Sequence, residues 1–408
     1  MDFEKRKADA GLMMSDKTID HVIESCESYL LSPGGNFLTE TFDSRLEEVA
    51  DLTAEEKDAY RQQNAALLES DFVPAYQLLI DGLTALKGTG TNDKGQCGYP
   101  KGKEYYQYQV YSATGTSYAS VDDLLADVED TMEDAMIETS LLLRQHPELM
   151  DQYDSYQFSQ TEPGAIMEEL KRLTQKDYPA LPACSYTLKT VPKALELSLS
   201  PAFYLTSPLD DYENNVIYIN GNERFASNDL FNVIAHEGYP GHLYQNVYFH
   251  TRNQSDIRKL LSFPGYSEGW ATYVEREAYL LDNGLSPEMG KLLAENSVAT
   301  LGLHACLDLY INYKGWSKEE VKKYLQTYYN QPDDVVESLY DAMVENPANY
   351  LSYFVGCMEI RNMRKTAEAQ LKEKFNLKEF HTFLLDMGEA PFDVIQAYFS
   401  AWLMAQQI

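Results

Sequence analysis

Two histidines and a glutamate near the middle of the chain have the residue types that hold and use a metal ion. They lie in FNVIAHEGYPGHLYQ, residues 231–245, as His236, Glu237 and His242. In the zinc-protease helix His-Glu-x-x-His, the histidines are four residues apart on one face, and the glutamate is the general base. Here they are six residues apart. An ideal helix would therefore place the two rings about 120° apart around its axis.

Pro240 and Gly241 lie between the two histidines and change that geometry. Proline cannot donate a helical hydrogen bond, and it kinks a helix interior. Glycine adopts backbone angles that other residues resist. We therefore predict that the helix bulges or breaks within residues 238–241, which returns His242 to the position of the usual second histidine.

A second stretch, GYSEGWATYVERE at residues 265–277, supplies a candidate third ligand. Glu268 lies 26 residues after His242 at the start of a helical pattern, and Glu275 follows on the same face. We expect Glu268 to bind the ion and Glu275 to hold a ligand histidine through its other ring nitrogen. Two histidines, one glutamate and an open position for water are typical of a catalytic site for one zinc ion.

Two alternatives stay open from the residues alone. Iron or manganese also binds two histidines and a carboxylate, so residue types do not select the metal. The same side chains could instead be helix-end histidines and a capping acid that bind no metal. The chain has only seven histidines, so a dense background does not explain the pattern.

The two motifs together resemble the bacterial family catalogued as domain of unknown function 885. Its members carry His-Glu-x-x-Pro-Gly-His followed by Glu-Gly-Trp-Ala, as do HEGYPGHLYQ and SEGWATYVE here. The similarity continues through residues 307–317, 350–364 and 375–395, and it covers at least residues 200–400.

This resemblance implies a helical zinc peptidase of the glutamate-zincin kind. Such proteins look distantly similar to all-helical carboxypeptidases and oligopeptidases that have a deep central cleft. By this resemblance, His236, His242 and Glu268 are zinc ligands and Glu237 is the general base.

Four residues in C-terminal motifs of the family are further candidates by resemblance: Tyr350, Tyr353, Arg364 and His381. A hydroxyl or cationic group aimed at the developing oxyanion, or at the peptide, is what this hydrolysis needs. The alternative is that these side chains have only structural roles. The chain contains 31 tyrosines, and most of them must be packing or surface residues.

The chain departs from the family pattern at two positions. Leu243 stands where members often have another histidine, and Asn312 stands where many have a histidine before Gly-Trp. Asn312 can still donate a hydrogen bond near the site. Members also tend to be longer at the N-terminus and to be exported or lipid-anchored. We therefore expect an extracytoplasmic or lipid-anchored protein whose leader is absent from this chain, with a cytoplasmic protein as the alternative.

Composition excludes several classes of function. The 408 residues include 64 acidic and 33 basic side chains, a formal charge of -31. Such a surface repels nucleic acid and anionic membranes. No run of about 18 apolar residues predicts a membrane span. The five cysteines are scattered without a Cys-x-x-Cys pair, which argues against a thiolate metal site or a disulfide framework.

The elements that must position these residues are mainly helices. Capping boxes begin helices at Thr53 and Ser317, and Ser286 precedes a helix expected to end near Gly315. Residues 103–115 alternate and are rich in tyrosine, and residues 200–220 contain two β-like runs around a turn. We interpret both stretches as strands.

We therefore predict a mainly α protein, a large helical body with a small antiparallel β element lining a central cleft. Residues 1–95 form an N-terminal helical segment and residues 96–408 the catalytic body, unless the whole chain is one domain. The strands end shortly before the motif helix, which we expect to begin near Ser227. A strand edge in that place can pair with an extended peptide.

The most concrete function is a zinc-dependent peptidase that hydrolyses short peptides with metal-activated water and Glu237 as base. A metal-dependent hydrolase of a non-peptide amide or ester needs the same groups. A non-catalytic exported binding protein is the third alternative, although a binding site needs no base. Exo- or endopeptidase specificity and oligomeric state do not follow from the sequence.

Overall fold

The structure, a computed structural model, describes residues 1–30, 37–90, 92, 94–225, 230–252, 255–329 and 331–407. The chain divides into two units. The first contains residues 1–93 with 190–200 and 220–222, and the second contains residues 94–189, 201–219 and 223–408. No helix among the described residues is long and apolar enough to cross a membrane.

The first unit is built from helices. One cluster of its buried apolar residues contains Met13, Ile19, Leu83 and Leu86. The last two helices are joined by a π-helical segment, Leu68–Phe72. The α-helices are α1 Asp2–Asp9, α2 Asp16–Leu30, α3 Phe37–Glu48, α4 Ala54–Leu67 and α5 Val73–Thr84.

The second unit carries the remaining helices and the sheet. Short 3-10 segments occur at Gln96–Gly98, Lys193–Leu195 (in a part of the chain assigned to the first unit) and Lys372–Lys374, and a π-helical segment at Tyr310–Lys314. Its α-helices are α6 Gly102–Thr114, α7 Val121–Gln145, α8 Glu148–Gln152, α9 Pro163–Thr174, α10 Leu230–Glu237, α11 His242–Arg252, α12 Asp256–Leu260, α13 Pro264–Ala278, α14 Pro287–Leu309, α15 Lys318–Tyr328, α16 Asp333–Glu345, α17 Asn349–Leu371, α18 Leu377–Met387 and α19 Phe392–Gln407. The predicted mainly α fold with a small sheet is confirmed.

Local capping chemistry sets many of these helix ends. Thr53 and Glu56 form a reciprocal capping box, as do Ser317 and Glu320. The side chain of Ser286 caps the first turn of α14. The helical path that follows α14 ends at Gly315, whose φ of 83° is readily adopted only by glycine. The predicted helix starts at Thr53, Ser286 and Ser317 are confirmed.

Three short strands form one sheet in the order β1–β3–β2, with β1 Ser185–Thr190, β2 Ala202–Leu205 and β3 Asn214–Ile219. Strands β2 and β3 are antiparallel, with Ala202 opposite Ile219 and Leu205 opposite Val216. Both lie within residues 200–220, where the sequence predicts two strands. The order leaves β2 at one end of this sheet.

The predicted strand at residues 103–115 is wrong, because this segment is helix α6. Its buried residues are Gly102, Tyr106, Val110 and Thr114, which recur every fourth residue and therefore lie on one helix face. The intervening tyrosines are largely exposed. The exposed Tyr105, Tyr108 and Tyr111 recur every third residue, which is also a helical spacing, so the apparent alternation mixes residues from two faces of a helix.

Helices α13 and α17 pack closely and form the frame that carries the candidate ligands. Gly269 of α13 lies against Gly356 of α17, and a Cβ at either position would overlap the other backbone. Trp270 and Tyr273 of α13 are fully buried. The face of α13 that holds Glu268 is thereby fixed relative to α17.

Candidate metal centre

The helix that carries His236 breaks before His242. Helix α10 ends at Glu237 and α11 begins at His242. The Tyr239–Pro240 peptide bond is cis. A Cβ at Gly241 would overlap the carbonyl oxygen of His236, so only glycine fits there. The predicted break within residues 238–241 is present, whereas the predicted start near Ser227 lies outside the described residues.

A buried hydrogen bond holds this break against α13, the helix that carries Glu268. The indole Nε1 of Trp270 donates to the carbonyl oxygen of Pro240 at 2.9 Å. The backbone N–H of Gln245 donates a hydrogen bond of 2.9 Å to the carbonyl oxygen of Gly241, which begins the helical hydrogen bonding of α11. Trp270 thus ties the Pro-Gly segment to the helix that bears Glu268.

The break brings His236, His242 and Glu268 together. One possible ligand atom from each residue lies within 4.8 Å of the others. The Nε2 atom of His236 is 3.6 Å from Glu268 Oε2, and the Nε2 atom of His242 is 3.3 Å from the same oxygen. The two imidazole rings are nearly perpendicular, with centroids 4.8 Å apart. Three ligand atoms therefore converge on one point from α10, α11 and α13.

The electrostatics of this cluster suit a cation. Glu268 Oε2 is buried and makes no well-formed hydrogen bond in the described structure. Burial by itself would raise the pKa of Glu268, but its interactions with His236 and His242 lower it to about 2. Burial alone would also lower the pKa of His236, but Glu268 and Glu275 raise it well above its ordinary value. The carboxylates thus create a negative field at the point where the ligand atoms meet.

Glu275 sets the orientation of His236. Its Oε2 atom lies 2.8 Å from His236 Nδ1, which leaves Nε2 facing Glu268. The backbone oxygen of Glu275 accepts a hydrogen bond from Asn232 at 2.6 Å, linking α13 to α10. A carboxylate on the second ring nitrogen is the usual device that fixes the tautomer of a metal-binding histidine.

Glu237 lies beside the cluster and contacts the sheet. Its Oε2 atom accepts a hydrogen bond of 2.7 Å from the backbone N–H of Tyr204 in β2. This contact places a strand of the sheet next to the carboxylate. Sequence reasoning did not single out Tyr204, because its contribution is a backbone group that no residue type reveals.

Tyr353 of α17 also reaches the cluster. Its ring is stacked on that of His236 with centroids 6.3 Å apart. Burial, followed by the neighbouring carboxylates Glu268 and Glu237, raises the pKa of Tyr353 far above its ordinary value. The phenol is therefore a neutral hydrogen-bond donor at physiological pH.

Arg364 and His381 lie in a separate network around Tyr273. Arg364 Nη1 donates to the hydroxyl of Tyr273 at 2.8 Å and to Glu277 at 2.7 Å. The Nε2 atom of His381 lies 3.0 Å from the same hydroxyl, and its Nδ1 lies 2.7 Å from the carbonyl oxygen of Asp177. The structure does not bring these two side chains to the ligand cluster.

Tyr350 lies near Tyr353, whose pKa it helps to raise, whereas Asn312 is held in a buried network. The ring of Tyr350 lies 4.9 Å from that of His304. Asn312 is fully buried; its amide donates to Asp308 and Met343, and its oxygen accepts from the backbone of Gln96. Every polar atom of the Asn312 side chain thus has a protein partner, so none is left to meet a substrate.

The fold and the site define a mainly helical protein with one candidate metal centre of two histidines and a glutamate among the described residues. Residues 4–398 match the family described as bacterial protein of unknown function (DUF885). The chain belongs to this family. No curated protein matches it.

Two solved structures share the fold. One, described as a putative lipoprotein from Colwellia psychrerythraea, has a TM-score of 0.84 at 22% identity over 98% of this chain and 72% of its own. The other has a similar description, with unknown function, and comes from Shewanella oneidensis. It has a TM-score of 0.53 at 18% identity over 87% of this chain and 69% of its own. At these identities the likeness shows the fold alone.

Proposed function

We propose that this protein is a zinc-dependent peptidase that hydrolyses short peptides. The observation that supports this most is the convergence of His236, His242 and Glu268 beside the carboxylate of Glu237. Two histidines and one carboxylate fit a zinc ion, and the buried, unpartnered Oε2 of Glu268 fits a ligand atom. When bound, zinc acts as a Lewis acid that polarises a carbonyl group and makes water acidic near pH 7.

The protein groups have separate roles in this proposal. Glu237 accepts a proton from the attacking water and later delivers it to the leaving amine. Glu275 keeps His236 oriented through Nδ1. Tyr353, which is neutral and close to His236, donates a hydrogen bond to the oxyanion that develops on the scissile carbonyl.

The sheet favours an extended peptide as the substrate. In the antiparallel pairing of β2 with β3, successive residues point their backbone groups to alternate sides of the strand. Tyr204 directs its N–H to Glu237, so this side of β2 faces the base. A peptide that adds to β2 would lie with its main chain next to Glu237.

Metal analysis and a mixed peptide library test the proposal together. We expect about one zinc ion per purified chain, and loss of that ion in His236→Ala and His242→Ala. His146→Ala is the matched control, because His146 lies on the surface beside Glu148 and should retain the metal. A protein that binds no stoichiometric metal would overturn the site.

The library separates the possible activities. Cleavage at a defined distance from one end indicates an exopeptidase, and internal cleavage indicates an endopeptidase. A metal-loaded protein that cleaves amide or ester substrates but no peptide would be the non-peptide hydrolase.

We also propose that the protein acts outside the cytoplasm, which is supported by two structural neighbours that are each described as a putative lipoprotein. Fractionation of the source bacterium tests this location. Recovery of the protein only from the cytoplasm would contradict it.

A further inference from the structure

Strand β2 directs one backbone N–H group away from its sheet. β2 lies at one end of the sheet and pairs with β3 through Ala202–Leu205. Successive residues of such a strand point their backbone groups to alternate sides. Because the N–H of Tyr204 donates to Glu237, the N–H groups of Phe203 and Leu205 are the ones directed to β3. The N–H of Tyr204 therefore lies on the side of β2 that faces α10.

Among the described residues, this N–H is the one hydrogen-bond donor to the side chain of Glu237. The distance from Tyr204 N to Glu237 Oε2 is 2.7 Å. The other two carboxylates of the centre meet histidine rings. Glu268 lies near both rings, and Glu275 lies 2.8 Å from His236 Nδ1. The direction of the Glu237 carboxylate therefore depends on Tyr204.

A general base needs this kind of anchor. A glutamate side chain has three rotatable torsions, and its ordering costs conformational entropy. It can accept a proton only within hydrogen-bonding reach of the donor, at about 2.6–3.2 Å. A hydrogen bond to a carboxylate is roughly twice as strong as one between neutral groups. An N–H group that keeps the carboxylate in one orientation therefore contributes to the rate without touching the substrate.

The side chain of Tyr204 fixes the strand that supplies this N–H. Its hydroxyl donates to Oδ1 of Asn215 in β3 at 2.8 Å. Asn215 is 2% exposed, and its Nδ2 atom donates to the carbonyl oxygens of Ser185 and Tyr212 at 3.1 Å each. Side-chain hydrogen bonds thus join all three strands in addition to the ladder. β2 cannot shift without breaking them.

The other face of β2 is fixed by packing. Phe203 and Tyr218 are opposite each other in the register of β2 and β3. Their rings are stacked, with centroids 5.2 Å apart and an angle of 15° between the planes. Aromatic pairs of this kind stabilise antiparallel strands. Both faces of β2 are therefore tied to β3, and the sheet presents the N–H of Tyr204 in a fixed place.

We propose that Tyr204 is a positioning residue whose backbone N–H holds the carboxylate of Glu237 in the orientation that accepts a proton from the attacking water. The sheet acts on the base through this one hydrogen bond. The inference rests on the proposed peptidase function and adds to it the group that orients the base.

Replacement of Tyr204 by its α-hydroxy acid tests the role, because the resulting ester removes the N–H and keeps the side chain. Nonsense suppression introduces the hydroxy acid, and suppression with tyrosine at the same position gives the reference protein. The substrate is a peptide cleaved in the library. We expect kcat to fall about 10–100-fold, while KM and zinc content stay within about twofold of the reference.

Leu205 provides the matched control. Its N–H is directed to β3, and its side chain is 52% exposed. The α-hydroxy acid of leucine at this position weakens the ladder of β2 and leaves the N–H of Tyr204 in place. We expect lower stability in urea, with kcat within about twofold of the reference. A merely structural role of Tyr204 would lower kcat equally in the two esters.

A double-variant cycle shows whether Tyr204 acts through the base. In Glu237→Gln, the ester at Tyr204 should cause no further loss of kcat, because no base is left to orient. If the ester lowered the residual kcat of Glu237→Gln as strongly as that of the parent, the N–H would act on another group and the inference would be wrong.

The amide proton of Tyr204 gives a readout that needs no activity. In protein labelled with nitrogen-15 tyrosine, its NMR signal is the one that disappears in Tyr204→Phe. We expect this signal to move upfield in Glu237→Ala and its exchange with solvent to become about 10–100-fold faster, since the acceptor is lost. Glu148→Ala, a surface control, should leave the signal in place.

The outcomes separate this inference from the proposed function. If the parent cleaves peptides and the esters at Tyr204 and Leu205 have equal kcat, Tyr204 has no positioning role and the peptidase stands. If the metal-loaded parent cleaves no peptide, the peptidase is overturned and the amide signal decides the inference alone. A signal that responds to Glu237→Ala then retains the hold of Tyr204 on Glu237, and an unchanged signal overturns both.

Discussion

Helix α13 contributes carboxylates on opposite faces to two clusters that also contain histidines from other helices. The two clusters differ in how completely their polar atoms are hydrogen-bonded. Glu268 and Glu275 face one way, whereas Tyr273 and Glu277 lie about half a turn around the helix. The first pair meets His236 and His242, whose side chains are 11% and 18% exposed. The second pair belongs to the network of Arg364 and His381, where His381 is 1% exposed.

The two clusters differ in whether a buried polar atom is left without a hydrogen-bond partner. In the network around Tyr273, both ring nitrogens of His381 lie within hydrogen-bonding distance of protein oxygens, and its ring stacks on Tyr178 at 4.1 Å. In the other cluster, Glu268 Oε2 has no well-formed partner. Residue types alone do not distinguish the two clusters, but the buried oxygen of Glu268 that lacks a hydrogen-bond partner among the described residues does.

The largest effect should come from the base. We expect Glu237→Gln to lower kcat by roughly 10²–10⁴-fold, because the neutral amide cannot accept a proton from water. Zinc content should remain that of the parent, since Glu237 is not a ligand. Steady-state kinetics with metal analysis check this, with Glu148→Gln as a surface control. If the metal-loaded variant kept full activity, a group other than Glu237 would be the base that accepts the proton from water.

The buried network should respond in stability rather than in activity. His381→Ala removes a stacked, fully buried ring and two hydrogen bonds, so we expect a loss of about 2–4 kcal/mol in the free energy of unfolding. Urea denaturation measures it, and zinc stoichiometry of the folded variant should be unchanged. A variant that keeps its stability but loses its metal would reverse the roles of the two clusters.

Two glutamates of α13 offer a matched pair. Glu275→Gln should weaken zinc affinity by about 10–100-fold, because it loosens the orientation of His236. Glu277→Gln should leave zinc affinity unchanged and destabilise the fold, because it removes the more buried of the two carboxylates that pair with Arg364 and leaves only Glu368. Competition with a chelator gives the affinities. Equal effects of the two substitutions on zinc would remove the distinction between the faces.

The most gradual effect is a pH dependence of stability that originates in His381. Burial lowers the pKa of His381 from 6.5 to about 4. Between these values the unfolded chain binds the proton and the folded protein does not, so stability falls as the pH falls, by up to about 1.4 kcal/mol per pH unit. Urea titrations of the parent and His381→Gln should therefore converge on acidification. A pH-independent difference between them would show that His381 titrates normally.

Much of the secondary structure follows from local chemistry. Thr53 and Ser317 begin helices because their side chains accept hydrogen bonds from the first turn. Residues 103–115 were predicted wrongly, because the alternation of Tyr106, Tyr108 and Val110 was outweighed by burial at every fourth residue of α6. Alternation indicates a strand only when the buried side chains are the ones that alternate.

The break in the helix that carries His236 is a further feature that the sequence predicts correctly. Pro240 and Gly241 indicate where the helix must break, and the six-residue spacing of His236 and His242 can close on one ion only if it does. The proximity of Glu268 to both rings agrees with that spacing argument.

Local residue types thus account for helix starts such as those at Thr53 and Ser317, for the break between α10 and α11, and for the family to which the chain belongs, but not for helix α6. Only the packed structure places Tyr204 on Glu237, Tyr353 over His236, and His381 in a satisfied core. The reason is that these contacts join elements far apart in the chain, and each is decided by which helix faces meet. No spacing within a single segment contains that information.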